Sequence, residues 1–516
     1  MAKLQEKSLS LFPNELPVPV PQPVNRSPTH IPSSANEQLW LALQLPCLAL
    51  DIFAPSDEAV AVVEGEGSHR CLVACNAPGL AAGLHAGIGL NAAFALAPEL
   101  RVLERDPGRE QASLERLAAW AGQFTSWVSL VLPNALLLEL KGSLRLFGGL
   151  PALQARIVGE LEALGYQVMP GLAPTPMGAL WLSRSPRHRG ALTDTSALAS
   201  RLGCLPLECL GWDTRQREQL YRMGVRSIAD CLRLPRDGFA RRFGPTRLGE
   251  LDKALGRIPD PRTGFVAPQR FRGEIELPAE TEFSTRLLPP LERLVEELVG
   301  LLRSREGGVD RLRLSLLHTD GPPTHITLQR LSLTRDRRHL LGLLAGRLEQ
   351  QVLPAPVLAL TLESGVIREL SGPDRGLLGD AQAEDKRAIP MLVERLRVRL
   401  GDDAVHGLCL VPEYRPEAAW RRSGRGSSLA SKPGQGVARP LWMLDTPQAL
   451  EQRNGQPRHG GRLCLLSGPE RIETGWWDGG DVTRDYYRAR TAQGELLWIF
   501  QDRRNRCGWY LHGIFG

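Results

Sequence analysis

Between residues 39 and 185 short apolar runs alternate with segments of helical period. LWLAL (39–43), RCLVAC (70–75), WVSLVL (127–132), LLLEL (136–140) and YQVMPGLA (166–173) read as strands. ASLERLAAWAGQFTSW (112–127) and PALQARIVGELEALG (151–165) space their apolar residues as helices do, with Arg and Glu on the outer face. The pattern predicts an α+β domain over 37–195. Residues 196–264 read as short helices with tight turns, carried by LPLECLGWDTRQREQLYRMGVRSIADCLRLP and FARRFGPTRLGELDKALG. Over 265–370 the order is strand, helix, two strands, helix, strand: IELPAETEF, LLPPLERLVEELVGLLRSRE, DRLRLSLLHTD, HITLQRLSL, RRHLLGLLAGRLEQQV and VLALTLESG. That is a compact two-layer β-α-β-β-α-β unit. A short helix (388–401) and a basic Gly/Ser/Pro-rich stretch make 371–440 a linker, and 441–516 a small β-rich module holding Trp442, Trp476, Trp477, Trp498 and Trp509. Residues 1–36 have the Pro, Ser and Asn content of a disordered tail.

Composition narrows the class. The 516 residues are 42% hydrophobic and 23% charged, ordinary for a water-soluble multidomain protein. No apolar run is long enough to span a bilayer, and the first residues lack the apolar core of a secretory signal, so a cytoplasmic protein with no membrane partner is expected. Nine cysteines occur without a CxxC pair, and Cys71 and Cys75 have no histidine nearby; they read as reduced packing residues. A formal charge of +6 suits a polyanionic partner.

The domain order resembles the Y-family translesion DNA polymerases of DinB/UmuC type. These have a palm and fingers, a helix-hairpin-helix thumb, and a β-α-β-β-α-β little finger. SLRLFGG (143–149) lies where that family has its second palm motif, and PELRVLERD (98–106) resembles its late-fingers sequence. The tail GPERIETGWWDGGDVTRDYYRAR (468–490), with the terminal WYLHGIFG, resembles the ImuB branch of the family. That branch implies work beside an ImuA-like, RecA-related protein and an error-prone C-family polymerase in damage-induced mutagenesis.

Nucleotidyl transfer needs two divalent metals held by clustered carboxylates, because hard cations take oxygen ligands. The family's first strand, I-H-I-D-M-D-A-F-F, matches Leu39 to Cys47, with Ala42 and Gln44 at the acidic positions. Its second motif, S-x-D-E-A-Y-L-D, matches Leu132 to Glu139, with Asn134 and Ala135 replacing the acid pair. Where the family grips the triphosphate with tyrosine, arginine and lysines, this chain has Ala77, Leu80, Pro176 and Leu180. The expectation is a pseudo-polymerase with no metal and no cofactor. Two alternatives stand beside it: an active translesion polymerase whose metal site is rebuilt from Asp51 or Glu139, and a plain DNA-binding repair factor.

DNA binding requires only cations along phosphates. In the thumb-like region the candidates are Arg215 and Arg217 after the hairpin Gly211-Trp212-Asp213, then Arg241, Arg242 and Arg247. The acid Asp213 stands where the family prefers glycine and opposes a phosphate there. In the little-finger-like region Arg311 and Arg313 alternate with leucines and share a face. Arg330, Arg335, Arg337 and Arg338 follow, so an arginine-lined sheet surface is expected. Two short peptides resemble sliding-clamp motifs: Leu9, Leu11 and Phe12 in the N-terminal tail, and Leu377 and Leu378 after the little-finger-like region. Trp476, Trp477, Tyr486 and Tyr487 are the candidate protein-interface anchors.

Overall fold

The computed structural model describes residues 38–186, 190–329, 332–370, 381–401, 404–423, 439–504 and 508–515. The chain divides into two compact units, one ending at Met391 and one beginning at Leu392.

The first unit opens with β1 (Trp40–Gln44), α1 (Leu48–Asp51), β2 (Val60–Glu64), β3 (Cys71–Cys75), α2 (Ala77–Ala81), α3 (Leu90–Leu96) and β4 (Arg101–Glu104). There follow α4 (Pro107–Ala121), β5 (Val128–Val131), β6 (Ala135–Glu139), α5 (Leu150–Ala163), β7 (Met169–Ala173) and α6 (Pro176–Ser183). Strand order is β5-β6-β1-β7 in one sheet and β3-β2-β4 in a smaller one. β1 is central and covered on both faces, which is why its run is apolar without alternation. Leu41, Leu43 and Leu45 join a core with α4 and α5, while Trp40 and Ala42 face a second core with α6. Of the smaller sheet, the sequence pattern marks only Cys71–Cys75. Helix α4 starts five residues before the predicted 112, because Asp106 accepts the Arg109 N–H at 3.1 Å and Pro107 suits a first helical position.

Five short helices come next: α7 (Leu198–Gly203), α8 (Thr214–Arg222), α9 (Ile228–Arg233), α10 (Arg236–Phe243) and α11 (Pro245–Ala254). Their Leu202, Leu220 and Phe239, with Leu207 from the turn between α7 and α8, extend the core of α6. The last part runs β8 (Arg272–Thr281), α12 (Leu288–Ser304), β9 (Gly307–Gly308), β10 (Leu312–His318), β11 (Thr324–Leu328), α13 (Arg337–Glu349), β12 (Val357–Ser364) and β13 (Arg368–Glu369). Its antiparallel sheet has the order β11-β10-β12-β8. Both helices pack on the face that carries Leu312, Leu314 and Leu316, and β9 pairs with β13.

Helix α12 lies against α4. Gly300 permits the approach, since a Cβ there would stand 2.1 Å from the Trp120 ring. At this seam Glu297, fully buried, accepts from Arg116 Nε at 2.8 Å and from the Tyr166 hydroxyl at 3.1 Å. The Arg293 guanidinium lies 4.2 Å from the Tyr166 ring centre. Charges so desolvated persist only when paired and hydrogen-bonded.

Helix α14 (Ala381–Leu400) runs across the division, beginning seven residues before the predicted 388. The second unit holds β14 (Gly407–Leu410), β15 (Trp420–Ser423), β16 (Trp442–Ala449), β17 (Glu451–Arg453), β18 (Gln456–Arg458), β19 (Cys464–Thr474), β20 (Val482–Arg490), β21 (Leu496–Asp502) and β22 (Gly508–Ile514). Five strands form one sheet, β16-β22-β21-β20-β19. Tyr486, Trp498 and Phe500 fill one of its cores and Leu497, Ile499 and Trp509 another. A hairpin, β14–β15, occupies part of the stretch that the sequence suggests as linker.

Candidate functional site

Gln44 and Asn134, which the resemblance sets at acidic positions of the family, meet in space. Gln44 stands opposite Ala135 in the β1–β6 ladder, and Ala42 opposite Leu137. Two-residue periodicity turns Ala42, Gln44, Ala135 and Leu137 to one face of the sheet. Ala42 is 0% exposed and Ala135 1%, sealed beneath Trp40, Leu180 and Trp181. At the open end Gln44 Nε2 donates to Asn134 Oδ1 at 2.7 Å, and Asn134 Nδ2 donates to the Leu45 carbonyl at 3.0 Å. Two carboxylates at that separation would repel unless a cation lay between them; two neutral amides instead share a hydrogen bond, although Gln44 Oε1 stays buried without a partner. Among the described residues no group of three or more His, Cys, Asp or Glu is arranged to hold a metal ion.

The acids considered as replacements lie elsewhere. Glu139 faces Trp40 at the far end of the ladder, four residues or about 13 Å from the Gln44 level. Its Oε1 accepts the N–H groups of Leu39 and Lys141. Asp51 ends α1, buried, where it accepts the Gln167 N–H at 2.9 Å; burial pushes its carboxyl up to about 7. The residues that the resemblance sets against a triphosphate carry no charge either. Pro176 and Leu180 are buried in α6, while Ala77 opens α2 and Leu80 is exposed.

The basic candidates separate into exposed and engaged residues. Arg215, Arg241 and Arg242 are exposed on α8 and α10. Arg217 is half-buried and bonds Thr214, and Arg247 does not stand free as the sequence suggests. Its guanidinium donates to Gln216 and Glu250 and lies 5.5 Å from the Trp212 ring centre, so it holds α11 to α8. Asp213 caps α8, accepting the Gln216 N–H at 2.8 Å. Its carboxylate therefore occupies the helix-start donor that a phosphate would use.

On the sheet β11-β10-β12-β8 Arg311 and Arg313 are exposed on the face away from the helices. That face is mixed in charge and not arginine-lined: Glu363 stands opposite Arg313 and pairs with Arg272, and Glu274 and Glu276 pair with Arg109 of α4. Arg335 is exposed before α13. Arg337 and Arg338 lie in the first turn of α13, in the helical layer, and so do not join Arg311 and Arg313. Arg337 pairs with Glu296 of α12, drawn there because both helices share the covered side; Arg338 is exposed. Arg330 falls outside the described residues, as do Leu9, Leu11, Phe12, Leu377 and Leu378.

Of the aromatic candidates, Trp476 and Trp477 are 78% and 59% exposed, packed edge to face at 5.5 Å. Arg415 steadies their turn by donating to Asp478 and to the Gly480 carbonyl. Tyr486 is a core residue instead. It stacks on Trp498 at 4.1 Å and bonds His512 at 2.8 Å, and burial pushes its hydroxyl up to about 12. Tyr487 is half-buried against Trp509. Sequence reasoning missed the exposed Leu408, Leu410 and Trp420 of the β14–β15 hairpin, which only strand pairing brings onto one face.

Residues 54–184 match the model of the impB/mucB/samB family. Protein ImuB of Caulobacter vibrioides (strain NA1000 / CB15N) is 26% identical over 473 residues, covering 84% of this chain and 100% of that protein. The sequence from strain ATCC 19089 / CIP 103742 / CB 15 gives the same figures. Over most of its length the chain is thus similar to Protein ImuB, and one stretch of it matches the impB/mucB/samB family. Among solved structures, DinB from Sulfolobus solfataricus and a Dbh-Dpo4 chimera each share 15% identity over 64% of this chain and 99% of theirs, with a TM-score of 0.37. At that score the likeness adds nothing to the fold as described. No described helix is long and apolar enough to cross a membrane.

Proposed function

We propose that the protein is a noncatalytic Y-family homologue that binds DNA and gathers partners in damage-induced mutagenesis. The observation that carries this is the amide pair Gln44–Asn134 beside the sealed Ala42 and Ala135. A metal-dependent transferase needs negative oxygens at that point, and neutral amides bonded to each other offer no charge to offset stripping water from Mg²⁺. In this reading 196–264 is the helix-hairpin-helix thumb and 265–370 the little finger. DNA lies along Arg311 and Arg313, with Arg335, Arg338, Arg215, Arg241 and Arg242 as outlying phosphate contacts. Arg330 belongs to the same set by sequence.

The ImuB resemblance supports the remaining roles. Leu9, Leu11 and Phe12, or Leu377 and Leu378, reach the sliding clamp, and Trp476 and Trp477 anchor an ImuA-like protein or an error-prone C-family polymerase. The setting is the cytoplasm of a cell in its SOS response. Primer extension with Mg²⁺ or Mn²⁺ tests the central claim: no incorporation is expected, and activity that persists through stringent purification overturns it. Clamp capture with Leu11→Ala/Phe12→Ala and with Leu377→Ala/Leu378→Ala identifies the peptide in use.

A further inference from the structure

A cavity of about 480 Å³ opens where α1, the end of α5, the start of α2 and the first half of α12 converge. Its volume and its position between structural layers are those of small-ligand sites. Phe53, Pro289 and Pro290 contribute to a mainly apolar wall. Asp51 stands in that wall, 8% exposed. Its Oδ2 accepts the Gln167 N–H, and no hydrogen bond to Oδ1 or ion pair to the carboxylate is made among the described residues.

The other charged groups around the cavity have partners. Arg337 is paired with Glu296 and lies 3.8 Å from Glu292, Glu160 is paired with Arg156, and Arg293 is held by Glu297 and the Tyr166 ring. Arg293 draws the Asp51 carboxyl down by less than burial raises it. A carboxyl so placed has no cation in contact, and an apolar enclosure beside it suits a hydrocarbon stem.

We propose that this cavity binds a primary ammonium group carried on a short apolar chain, with Asp51 as its counter-ion. The ligand class covers both a free alkylamine and the side chain of a lysine. Ammonium binding favours the ionised carboxylate, so association releases a proton near neutral pH and tightens between pH 6 and pH 8.

Calorimetric titration of the full chain with hexylamine tests this, with 1-hexanol and hexanoate as matched uncharged and anionic probes and N-acetyl-lysine amide as the lysine probe. Hexylamine is expected to bind more tightly than hexanol, and hexanoate not at all. Asp51→Asn, which keeps an acceptor for Gln167, is expected to weaken hexylamine about tenfold or more and leave hexanol unchanged. Binding of the lysine amide as well assigns the site to a protein side chain; hexylamine alone assigns it to a free amine. The proposal is overturned if hexylamine does not bind, if hexanol or hexanoate binds equally well, or if Asp51→Asn binds hexylamine like the parent chain. Should that variant not fold, the pH 6 to pH 8 comparison on the parent chain decides, and affinity that does not rise overturns the proposal.

Discussion

The sheets β5-β6-β1-β7 and β11-β10-β12-β8 each have four strands, all paired antiparallel, yet one is covered on two faces and the other on one. In the first, the face turned to α6 is filled by Ala42, Ala135 and Leu137 and closed at its edge by an amide pair. In the second, leucines go under the helices while Arg313, Ser315, Thr327 and Glu363 line the other side. The difference teaches where charge can reside in this molecule. Ionic groups persist where water or a partner reaches them, and the covered face holds small and neutral residues.

The comparison is most severely tested by returning an acid to the covered face. Ala42→Asp places an unpaired carboxyl at a site with no exposure, and a stability loss of about 3 kcal/mol or more is expected in urea unfolding. Tolerance of the change together with Mg²⁺ binding would break the contrast between the sheets.

Asp51 provides a native version of the same penalty. Its folded value of about 7 lies above the ordinary 3.8, so the folded state holds the proton more firmly. Its contribution to stability is therefore greatest at low pH and declines as pH rises from about 4 to about 7. Asp51→Asn removes that decline, and urea midpoints at pH 5 and pH 8 should differ less in the variant than in the parent chain.

A smaller effect follows from the amides. Gln44→Leu leaves Asn134 Oδ1 without its donor, and a loss of about 1–2 kcal/mol is expected by the same measurement. On the open face the ordering reverses. Arg311→Ala/Arg313→Ala should move stability by no more than about 0.5 kcal/mol. The same pair should lower the slope of log affinity for DNA against log salt by about 2. Arg247→Ala, by contrast, should destabilise the five-helix region through its lost bonds to Gln216 and Glu250.

Much of the architecture is legible in the chain because it is encoded by local period and punctuation. The apolar run before Gln44 is a central strand, and DRLRLSLL alternates as a half-covered strand must. The small sheet containing Val60–Glu64 and Arg101–Glu104 was less legible, since its strands are short and one pairs in parallel across a long connection. Helix α4 extends earlier than its apolar spacing indicates because its first turn is fixed by a cap, not by burial.

That Ala42, Gln44, Asn134 and Ala135 carry no charge is written in the order of residues alone, because such a side chain cannot acquire one by folding. Which arginines and aromatics stay at the surface was decided only by tertiary structure. Arg247, Arg337 and Tyr486 read like Arg311, Arg313 and Trp476 until Gln216, Glu296 and Trp498 are brought against them. Burial is a property of contacts between distant segments, as with Arg116 and Glu297, 181 residues apart, and no local pattern carries that information.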